Sequence, residues 1–258
     1  WIAVNERIID RDDWSGPGGA RAVLREKEVD AAILETARGG LLRRGLGVER
    51  ADAALITNIA EDHLGDFGSS NLDELLAIKW VVSHAVRESG RLVLNAEDRR
   101  LVERAKDYDG EIVWFSLDPG SEVVTSHVEG GGAAFVLDSD ELLKIENGAR
   151  SLLCRSHEIP ITLGGAARHN IANALSAAAL TWCLGASLTH IRTGLVTMQQ
   201  DENPGRCNYF DLNGINILID FAHNPAAMGA LFDMASAIPA KRRALCFGQA
   251  GDRTDDLI

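Results

Sequence analysis

The sequence predicts an α/β fold with a mostly parallel sheet, a small antiparallel portion and the start of a second, Rossmann-like domain. Between residues 20 and about 120, helical and strand patterns alternate, which is typical of a parallel sheet covered by helices. Between about 121 and 163, short apolar runs are broken by turn sequences, which indicates antiparallel hairpins packed beside that sheet. Beyond residue 200, a hairpin signal precedes a helix and a strand, which indicates the second domain.

The alternating region is predicted to contain three helices and four strands. The helices lie in ARAVLRE, from Asn71 onward, and between the last two strands. The strands are DAAILE (30–35), AALITNI (53–59), RLVLN (91–95) and EIVWFSL (111–117). Asn71 and Glu74 fit a capping box, which fixes the start of the second helix.

The rest of the chain predicts two helices, a linker and the second domain. The helices are ARHNIANALSAAALTWCLG and LTHIRTGLVTM, and DENPG is the linker. Asn213-Gly214 between two apolar runs is the strongest short hairpin signal. A helix in PAAMGALFDMASAI and a strand in RRALCFG (242–248) follow. We therefore expect one domain over residues 1–200 and another over 201–258.

The composition indicates a globular, acidic protein. The 258 residues are 46% apolar, and the formal net charge of -12 argues against nucleic acid as the main partner, because that binding relies on clustered Lys and Arg. No apolar run approaches the roughly 18 residues of a membrane span and no signal pattern opens the chain, so we expect a soluble, cytoplasmic protein. The four scattered cysteines suggest neither a zinc site nor a disulfide framework and are expected to be ordinary buried thiols.

Polar side chains follow two predicted strands where each strand ends. Glu35 ends the first, and the segment TNIAEDHLG places Asn58, Glu61, Asp62 and His63 directly after the next. Carboxyl ends of parallel strands meet at the ligand-binding edge of the sheet, so these groups can hold a hard cation such as magnesium. Alternatively, Glu35 and Asp62 cap helices or turns, and His63 makes a single hydrogen bond.

Lys79 interrupts the apolar face of the helix that begins near Asn71. That face is formed, at 100° per residue, by Leu72, Leu75, Leu76, Val82 and Val86. A lysine there is expected to be buried, so its ammonium group finds a partner, extends to water or loses its proton. A neutral amine can add carbon dioxide and become an anionic carbamate that binds magnesium. The alternative is a salt bridge or a stem that reaches solvent.

Amides and a guanidinium near the domain boundary can recognise a nucleotide. Asn170 and Asn173 lie three residues apart at the start of a helix, where they share a face and can bracket a planar base. Self-capping of the helix start is the alternative. Arg206 in NPGR can reach a phosphate across an interdomain cleft, or it is an ordinary surface arginine.

The segment ILIDFAHNP ends another strand in polar groups. Asp220 is placed where an acidic residue commonly binds a ribose hydroxyl, and His223 and Asn224 follow it, although capping alone also explains Asn224. The segment GQAGDR repeats this arrangement with Asp252 and Arg253. No Ser-His-Asp or Cys-His nucleophile pattern is evident, so the sequence favours metal-nucleotide chemistry over covalent catalysis.

Together these segments resemble the Mur ligase superfamily, and most closely the Mur-ligase-like part of cyanophycin synthetases. The motifs occur in order through nearly the whole chain: SGPGGARAVL, DAAILETARGGLLRRGL, ALITNIAEDHLG, Lys79, LVLNAED, HNIANAL, NPGR, DFAHNPAA and GDR. The phrase ETARGGLLR is specific to the cyanophycin branch. The resemblance implies a Mur ligase central domain over 1–200 and the beginning of the C-terminal domain over 201–258.

The resemblance implies an ATP- and magnesium-dependent amide ligase, in which ATP phosphorylates a carboxylate and an amine then displaces phosphate. It implies that Glu35 and His63 bind magnesium and that Lys79 is the carbamate, which makes these three the catalytic residues. The nucleotide is assigned to Asn170, Asn173, Arg206, Asp220, His223 and Asn224. The acceptor substrate is assigned to Thr36, Arg38, Arg43 and Arg253.

For the cyanophycin branch, the implied step joins the α-amino group of arginine to an aspartate side chain at the end of a growing polymer. The expected partners are therefore arginine, an acidic peptide polymer end and further copies of the chain, with no nucleic acid and no membrane. The alternatives are a Mur-type ligase that uses another amino acid and a non-catalytic, Mur-like binding subunit.

The sequence departs from the family pattern in several places. No G-x-x-G-K-[ST] phosphate loop occurs between Trp1 and Ile258, Phe221 replaces the usual tyrosine of DYAHNP, and DHLG replaces the commoner DHLD. The chain starts without methionine, and its last domain stops short. We therefore expect a fragment or the ordered part of a longer polypeptide, unable by itself to turn over ATP.

Overall fold

The computed structural model describes residues 2–5, 7–60 and 71–248 and has the predicted α/β architecture. Its α-helices are α1 (Pro17–Leu24), α2 (Arg38–Arg44), α3 (Leu72–Trp80), α4 (Arg99–Ala105), α5 (Glu122–Glu129), α6 (Arg168–Cys183), α7 (Leu188–Thr197) and α8 (Pro225–Ala237). Its strands are β1 (Ile2–Val4), β2 (Arg7–Asp10), β3 (Ala51–Ile56), β4 (Val86–Asn95), β5 (Glu111–Ser116), β6 (Ala133–Asp138), β7 (Glu141–Glu146), β8 (Ala149–Arg155), β9 (Asn208–Leu212) and β10 (Ile215–Ile219).

Six strands form the central sheet in the order β3-β4-β5-β6-β7-β8. The first four are parallel, with Leu92 of β4 opposite Ala54 and Ile112, whereas β7 and β8 are antiparallel additions. The predicted antiparallel portion therefore exists, but it extends the main sheet. The expectation that it packs beside the sheet was wrong, because β6 pairs with β5 at one edge and with β7 at the other.

Helices cover both faces of this sheet. Val93 belongs to the buried cluster beneath α6 and α7, whereas its neighbours Leu92 and Leu94 belong to the cluster beneath α3, α4 and α5. Successive side chains of a strand point to opposite faces, so a sheet covered on both sides needs apolar residues at every position. This explains the continuous apolar run in EIVWFS.

Helix α3 begins as predicted and ends earlier. The Asn71 side chain accepts hydrogen bonds from the amides of Asp73 and Glu74 at 3.0 and 2.9 Å. The α-helix stops at Trp80, a 3₁₀ turn follows, and Val86 begins β4. The expectation that Val82 and Val86 extend the apolar helical face was wrong, since consecutive β-branched residues lower helix propensity and this segment turns into a strand.

Two predicted strands do not form, and two α-helices, α2 and α5, were not predicted. Residues 30–35 and 242–248 are irregular, and Ile33 and Phe247 are 72% and 65% exposed. A strand requires a hydrogen-bonding neighbour, and neither segment pairs with any strand in the described part of the chain. Helix α5 occupies the start of the region where hairpins were expected.

Beyond residue 200, β9 and β10 form the predicted hairpin, and α8 follows. Asn213 and Gly214 have φ values of 53° and 80°, as a tight hairpin turn requires. Met234 of α8 packs with Ala167 and Cys207 in a small buried cluster at the start of α6. Among the residues described, no helix combines the length and apolarity needed to cross a membrane.

The cysteine prediction is correct for only two of the four thiols. Cys154 and Cys207 are buried, but Cys183 is half-buried and Cys246 is exposed. The exposure of Cys246 follows from the absence of the strand that was predicted around it.

Candidate functional site

The carboxyl ends of β3 and β4 meet at one edge of the sheet, as the predicted ligand-binding edge requires. The Asn95 side chain, at the end of β4, donates a 3.0 Å hydrogen bond to the Thr57 carbonyl, just beyond β3. The Asp98 carboxylate then accepts a 2.6 Å hydrogen bond from the Ile59 amide. These bonds fix the backbone that leads into the polar segment after β3.

Glu97 and Asp98 end the segment LVLNAED, and the sequence alone did not indicate a role for them. Asp98 also caps α4, because its other oxygen accepts from the amides of Arg100 and Leu101 at 3.0 and 3.2 Å. Glu97 accepts from the Ser116 hydroxyl at 3.0 Å and so ties the end of β5 to the same edge. Two acidic residues directly after a buried strand are the sequence signal that could have identified them.

Lys79 lies at this edge and has a backbone partner. The residue is half-buried, and its ammonium group donates a 3.0 Å hydrogen bond to the Asn58 carbonyl. The sequence predicted a buried lysine that finds a partner. In the structure Lys79 is half-buried, and its partner is a backbone carbonyl. The side chain therefore points from α3 toward the polar segment that follows β3.

The residues predicted before and within α2 lie beside α3. Glu35 is exposed in an irregular segment, Thr36 and Arg38 are half-buried, and the Arg43 guanidinium donates to the Gly39 carbonyl at 3.0 Å. Helix α2 packs against α3, which brings this segment to the same side of the sheet as Lys79.

The predicted magnesium set is Glu35, His63 and Lys79. His63 lies outside the described residues, and so does Arg253. Across residues 2–5, 7–60 and 71–248, no group of three or more His, Cys, Asp and Glu side chains is arranged to hold a metal ion. The exposed Glu35 carboxylate is a hard oxygen ligand of the kind that magnesium prefers, so the available donor fits that ion.

The two predicted base-binding asparagines contact one another at the start of α6. Asn170 is buried, and its amide group donates a 2.7 Å hydrogen bond to the Ile161 carbonyl. Asn173 is exposed, and its amide group donates to the Asn170 side-chain oxygen at 3.4 Å. Asn170 is therefore fixed to the loop before α6, while Asn173 faces solvent with its own acceptor oxygen available.

A hydrogen-bonded cluster joins the start of α6 to the end of β10. The Cys207 thiol and backbone amide both donate to Asp220 Oδ2, at 3.2 and 2.9 Å, and His169 Nε2 lies 2.9 Å from the thiol sulfur. Burial lowers the pKa of His169, an effect that the Asp220 carboxylate opposes in part. Burial, reinforced by Asp220, raises the pKa of Cys207 to about 12, so the thiol is protonated.

Arg206 and His223 contact the ring of Phe221, which follows Asp220. The Arg206 guanidinium lies 5.5 Å from the centre of the Phe221 ring, and the His223 ring lies 4.8 Å from it. His223 Nδ1 donates to the Phe221 carbonyl at 2.6 Å. Asn224 accepts from the Ala227 amide at 2.8 Å and thereby caps α8, the role that the sequence offered as its alternative.

The structure thus brings five of the six predicted nucleotide residues to two places. Asn170 and Asn173 contact one another, whereas Arg206 and His223 both contact Phe221, which directly follows Asp220. Cys207 bonds to Asp220 and to His169, the residue before Asn170. Sequence reasoning did not anticipate Cys207, because its partners lie 13 and 38 residues away along the chain.

Family models match both parts of the chain. Residues 20–181 match the Mur ligase middle domain, and residues 205–257 match the Mur ligase, glutamate ligase domain. The cluster around Cys207 therefore joins a residue of the first matched region, His169, to residues of the second.

Named relatives and a solved structure are similar along most of the chain. The cyanophycin synthetase of Trichormus variabilis is 36% identical over 255 residues, which are 98% of this chain and 28% of that protein. The UDP-N-acetylmuramoyl-tripeptide--D-alanyl-D-alanine ligase of Escherichia coli is 29% identical over 223 residues, with 83% and 45% covered. The fold matches MurF from Acinetobacter baumannii with a TM-score of 0.66 at 21% identity, covering 89% of this chain and 48% of that one. The chain thus spans less than half the length of each of these proteins.

Proposed function

The chain belongs to the Mur ligase family, and from this membership we propose that it acts as an ATP- and magnesium-dependent ligase that joins a carboxylate to an amine. The proposal extends to the cyanophycin type, in which arginine is added to the side chain of an aspartate in a polymer. Similarity to cyanophycin synthetases over 98% of the chain supports this choice of substrate.

The cluster between α6 and β10 is the observation that most strongly supports a nucleotide site. It lies where the two matched regions meet, and it holds amides, a carboxylate and a guanidinium within one hydrogen-bonded and stacked arrangement. A nucleotide offers a base edge, ribose hydroxyls and phosphates, which are the complementary groups.

Each side chain has a distinct role in this proposal. The exposed Asn173 amide contacts the base, and its hydrogen bond to Asn170 holds it in position. Asp220 uses Oδ2 to accept the two bonds from Cys207, and we assign Oδ1 to a ribose hydroxyl. Arg206 is exposed, and its guanidinium lies over Phe221, from which it can reach a phosphate. His223 and Asn224 shape the loop that carries Asp220 into α8.

The reacting end is assigned to the edge formed by β3 and β4. Glu35, His63 and a carbamate on Lys79 would hold magnesium, which would supply positive charge that offsets the charge of the phosphates during transfer. Phosphate from ATP activates the carboxylate, the amine attacks the activated carbonyl carbon, and phosphate leaves. Asp98 and Asn95 hold the backbone around Asn58 against which Lys79 is placed.

The acceptor is assigned to the segment before and within α2. Arg38 and Arg43 belong to α2, which packs against the helix that carries Lys79, and Thr36 precedes α2. Arg253 is included on the basis of the resemblance alone. Arginine side chains pair well with carboxylates, which suits an aspartate-rich polymer end. The net charge of -12 is compatible with a basic amino acid as the second substrate.

Amino-acid-dependent release of phosphate tests the proposal. The polypeptide, as its cell produces it, is supplied with magnesium, ATP and an aspartate polymer, and each protein amino acid is added in turn. Arginine is expected to give the largest stimulation and to increase the polymer mass by one arginine residue per phosphate released. Lysine is the matched control, because it has the same charge without a guanidinium group.

Two results would change the proposal. Stimulation by another amino acid in place of arginine would indicate a different Mur-type ligase, an alternative that the similarity to the Escherichia coli enzyme favours. Absence of both ATP binding and phosphate release would overturn the ligase proposal and leave a Mur-like binding subunit.

A further inference from the structure

The Cys207 side chain links the two parts of the proposed nucleotide site, because it contacts α6 on one side and the end of β10 on the other. It is 3% exposed and lies directly between His169 of α6 and Asp220 at the end of β10. Its backbone has φ of 52°, a left-handed conformation that residues other than glycine seldom adopt. The fold therefore holds this thiol in place against a local conformational preference.

The chemistry of the three groups determines where the protons lie. An ionised carboxylate can only accept hydrogen bonds, so the thiol proton points to Asp220 Oδ2. The sulfur is then left as an acceptor for His169, which must present a proton on Nε2. The lowered pKa of His169 and the raised pKa of Cys207 agree with a neutral imidazole and a protonated thiol.

We propose that Cys207 is a positioning residue that orients the Asp220 carboxylate relative to α6, so that the base-binding and ribose-binding groups act on one nucleotide. The inference rests on the proposed function, because it assigns a role within that nucleotide site. Cys207 itself contacts no substrate in this scheme. The thiol holds Asp220 Oδ2 in place. Because the carboxylate is planar, this also fixes the direction of Oδ1, the oxygen assigned to the ribose hydroxyl.

The neighbouring contacts make Cys207 suited to this role. The Cys207 amide donates to the same carboxylate oxygen, and the Phe221 amide donates to the Gly205 carbonyl at 2.8 Å. The buried Asn208 side chain accepts from the Gly205 amide at 2.6 Å and donates to the Gln200 carbonyl at 2.6 Å. The end of the predicted linker, at Gly205, is therefore held by several hydrogen bonds, and Cys207 just after it contacts His169.

Affinity for ATP in Cys207 variants tests this inference. Cys207→Ala removes the bridge, and Cys207→Ser keeps a donor and an acceptor at nearly the same place. In the polypeptide as its cell produces it, we expect Cys207→Ala to weaken the binding of magnesium-ATP about tenfold and Cys207→Ser to restore it to within about threefold of the wild type. Cys154→Ala is the matched control, since Cys154 is also a buried thiol but lies in the core of the sheet. It is expected to leave the affinity unchanged.

Nitrogen chemical shifts of His169 give a second readout that needs no variant. The wild-type protein is expected to carry the proton on Nε2, and observation of the Nδ1 tautomer would overturn the inference. Equal ATP affinities of wild type and Cys207→Ala would overturn it as well, and so would failure of serine to improve on alanine. If the wild type itself binds no ATP, the proposed function fails and this inference fails with it. If the wild type binds ATP and Cys207→Ala binds it with the same affinity, the inference about Cys207 alone is wrong.

Discussion

Asp98 accepts a 2.6 Å hydrogen bond from the backbone amide of Ile59, 39 residues earlier in the chain, while its second oxygen caps α4. One carboxylate thus joins the loop after β3 to the loop after β4. The backbone between Thr57 and Ala60 leads into the segment that contains His63, so this bond helps to define where the proposed metal-binding segment leaves the sheet.

Replacing Asp98 should harm both stability and activity. Asp98→Ala removes the helix cap and leaves the Ile59 amide without its acceptor, which we expect to lower the free energy of unfolding by about 2 kcal/mol. Asp98→Asn keeps the capping oxygen and should lose about half as much. Ser187→Ala is the control, because the Ser187 side chain caps α7 by accepting from the His190 amide at 3.2 Å. Urea unfolding measures these losses, and wild-type stability of Asp98→Asn would argue against the Ile59 contact.

Lys79→Ala should abolish ligation while leaving the protein folded. The side chain is half-buried and makes a backbone hydrogen bond, so its loss should change the free energy of unfolding by only about 1 kcal/mol. Without the amine no carbamate forms, and we expect phosphate release to fall more than about a hundredfold. Lys106→Ala is the matched control, because Lys106 is paired with Glu103 on the surface of the protein, away from the sheet edge.

A carbamate on Lys79 also has a direct signature. Intact-protein mass spectrometry under mild conditions should show an addition equal to one carbon dioxide, and Lys79→Ala should lack it. Removal of bicarbonate should reduce activity in the wild type. Full activity of Lys79→Ala would rule out a role for this side chain in the reaction.

Local sequence signals predicted the elements whose partners lie nearby or whose pattern is strong. The caps at Asn71 and Asn224 and the turn at Asn213-Gly214 form as expected, because each depends on contacts within a few residues. The strand predicted over 30–35 does not form, because a strand needs a neighbouring strand and this segment pairs with none in the described part of the chain. The same reason explains why β7 and β8 join the main sheet, a pairing that apolar patterns cannot distinguish from a separate hairpin.

The site was predictable to a similar extent. Polar groups after buried strands predicted the edge at which Asn58, Lys79 and Asn95 meet, because parallel strands end at the same edge. The link from His169 through Cys207 to Asp220 was not predictable, since the thiol was read as an ordinary buried side chain and its partners come from separate elements. Charge and spacing along the sequence identify polar residues at the ends of strands. They do not identify the residue that connects these polar residues in the folded protein.

Stability should decrease as the pH falls below about 6.5. Burial lowers the pKa of His127 and His169 from the usual 6.5, so the unfolded chain takes up protons at a higher pH than the folded one. The stability contribution of these neutral imidazoles is complete above the unfolded pKa and declines as the pH falls below it. Urea midpoints should be lower at about pH 5.5 than at about pH 7.5. His127→Gln and His169→Gln should each flatten this dependence, and an unchanged slope in both would contradict the assignment.

Alanine substitutions of the two asparagines of α6 should distinguish effects on stability from effects on ligand binding. Asn170 is buried and bonded to the Ile161 carbonyl, so Asn170→Ala should lower the free energy of unfolding by about 1 to 2 kcal/mol and should also weaken ATP binding. Asn173 is exposed, and Asn170 is the hydrogen-bond partner of its side chain within the described residues, so Asn173→Ala should change stability by less than about 0.5 kcal/mol.

Both variants should nevertheless lose nucleotide affinity, because the base is expected to contact Asn173 directly and Asn170 steadies it. Titration with ATP, alongside urea unfolding of the same samples, measures the two effects independently. Ser176→Ala is the control on the same helix, since its hydroxyl donates to the Asn173 carbonyl within α6 and it is buried away from the proposed base. Unchanged ATP affinity in Asn173→Ala would remove the asparagine pair from the base site and leave Asn170 with a structural role alone.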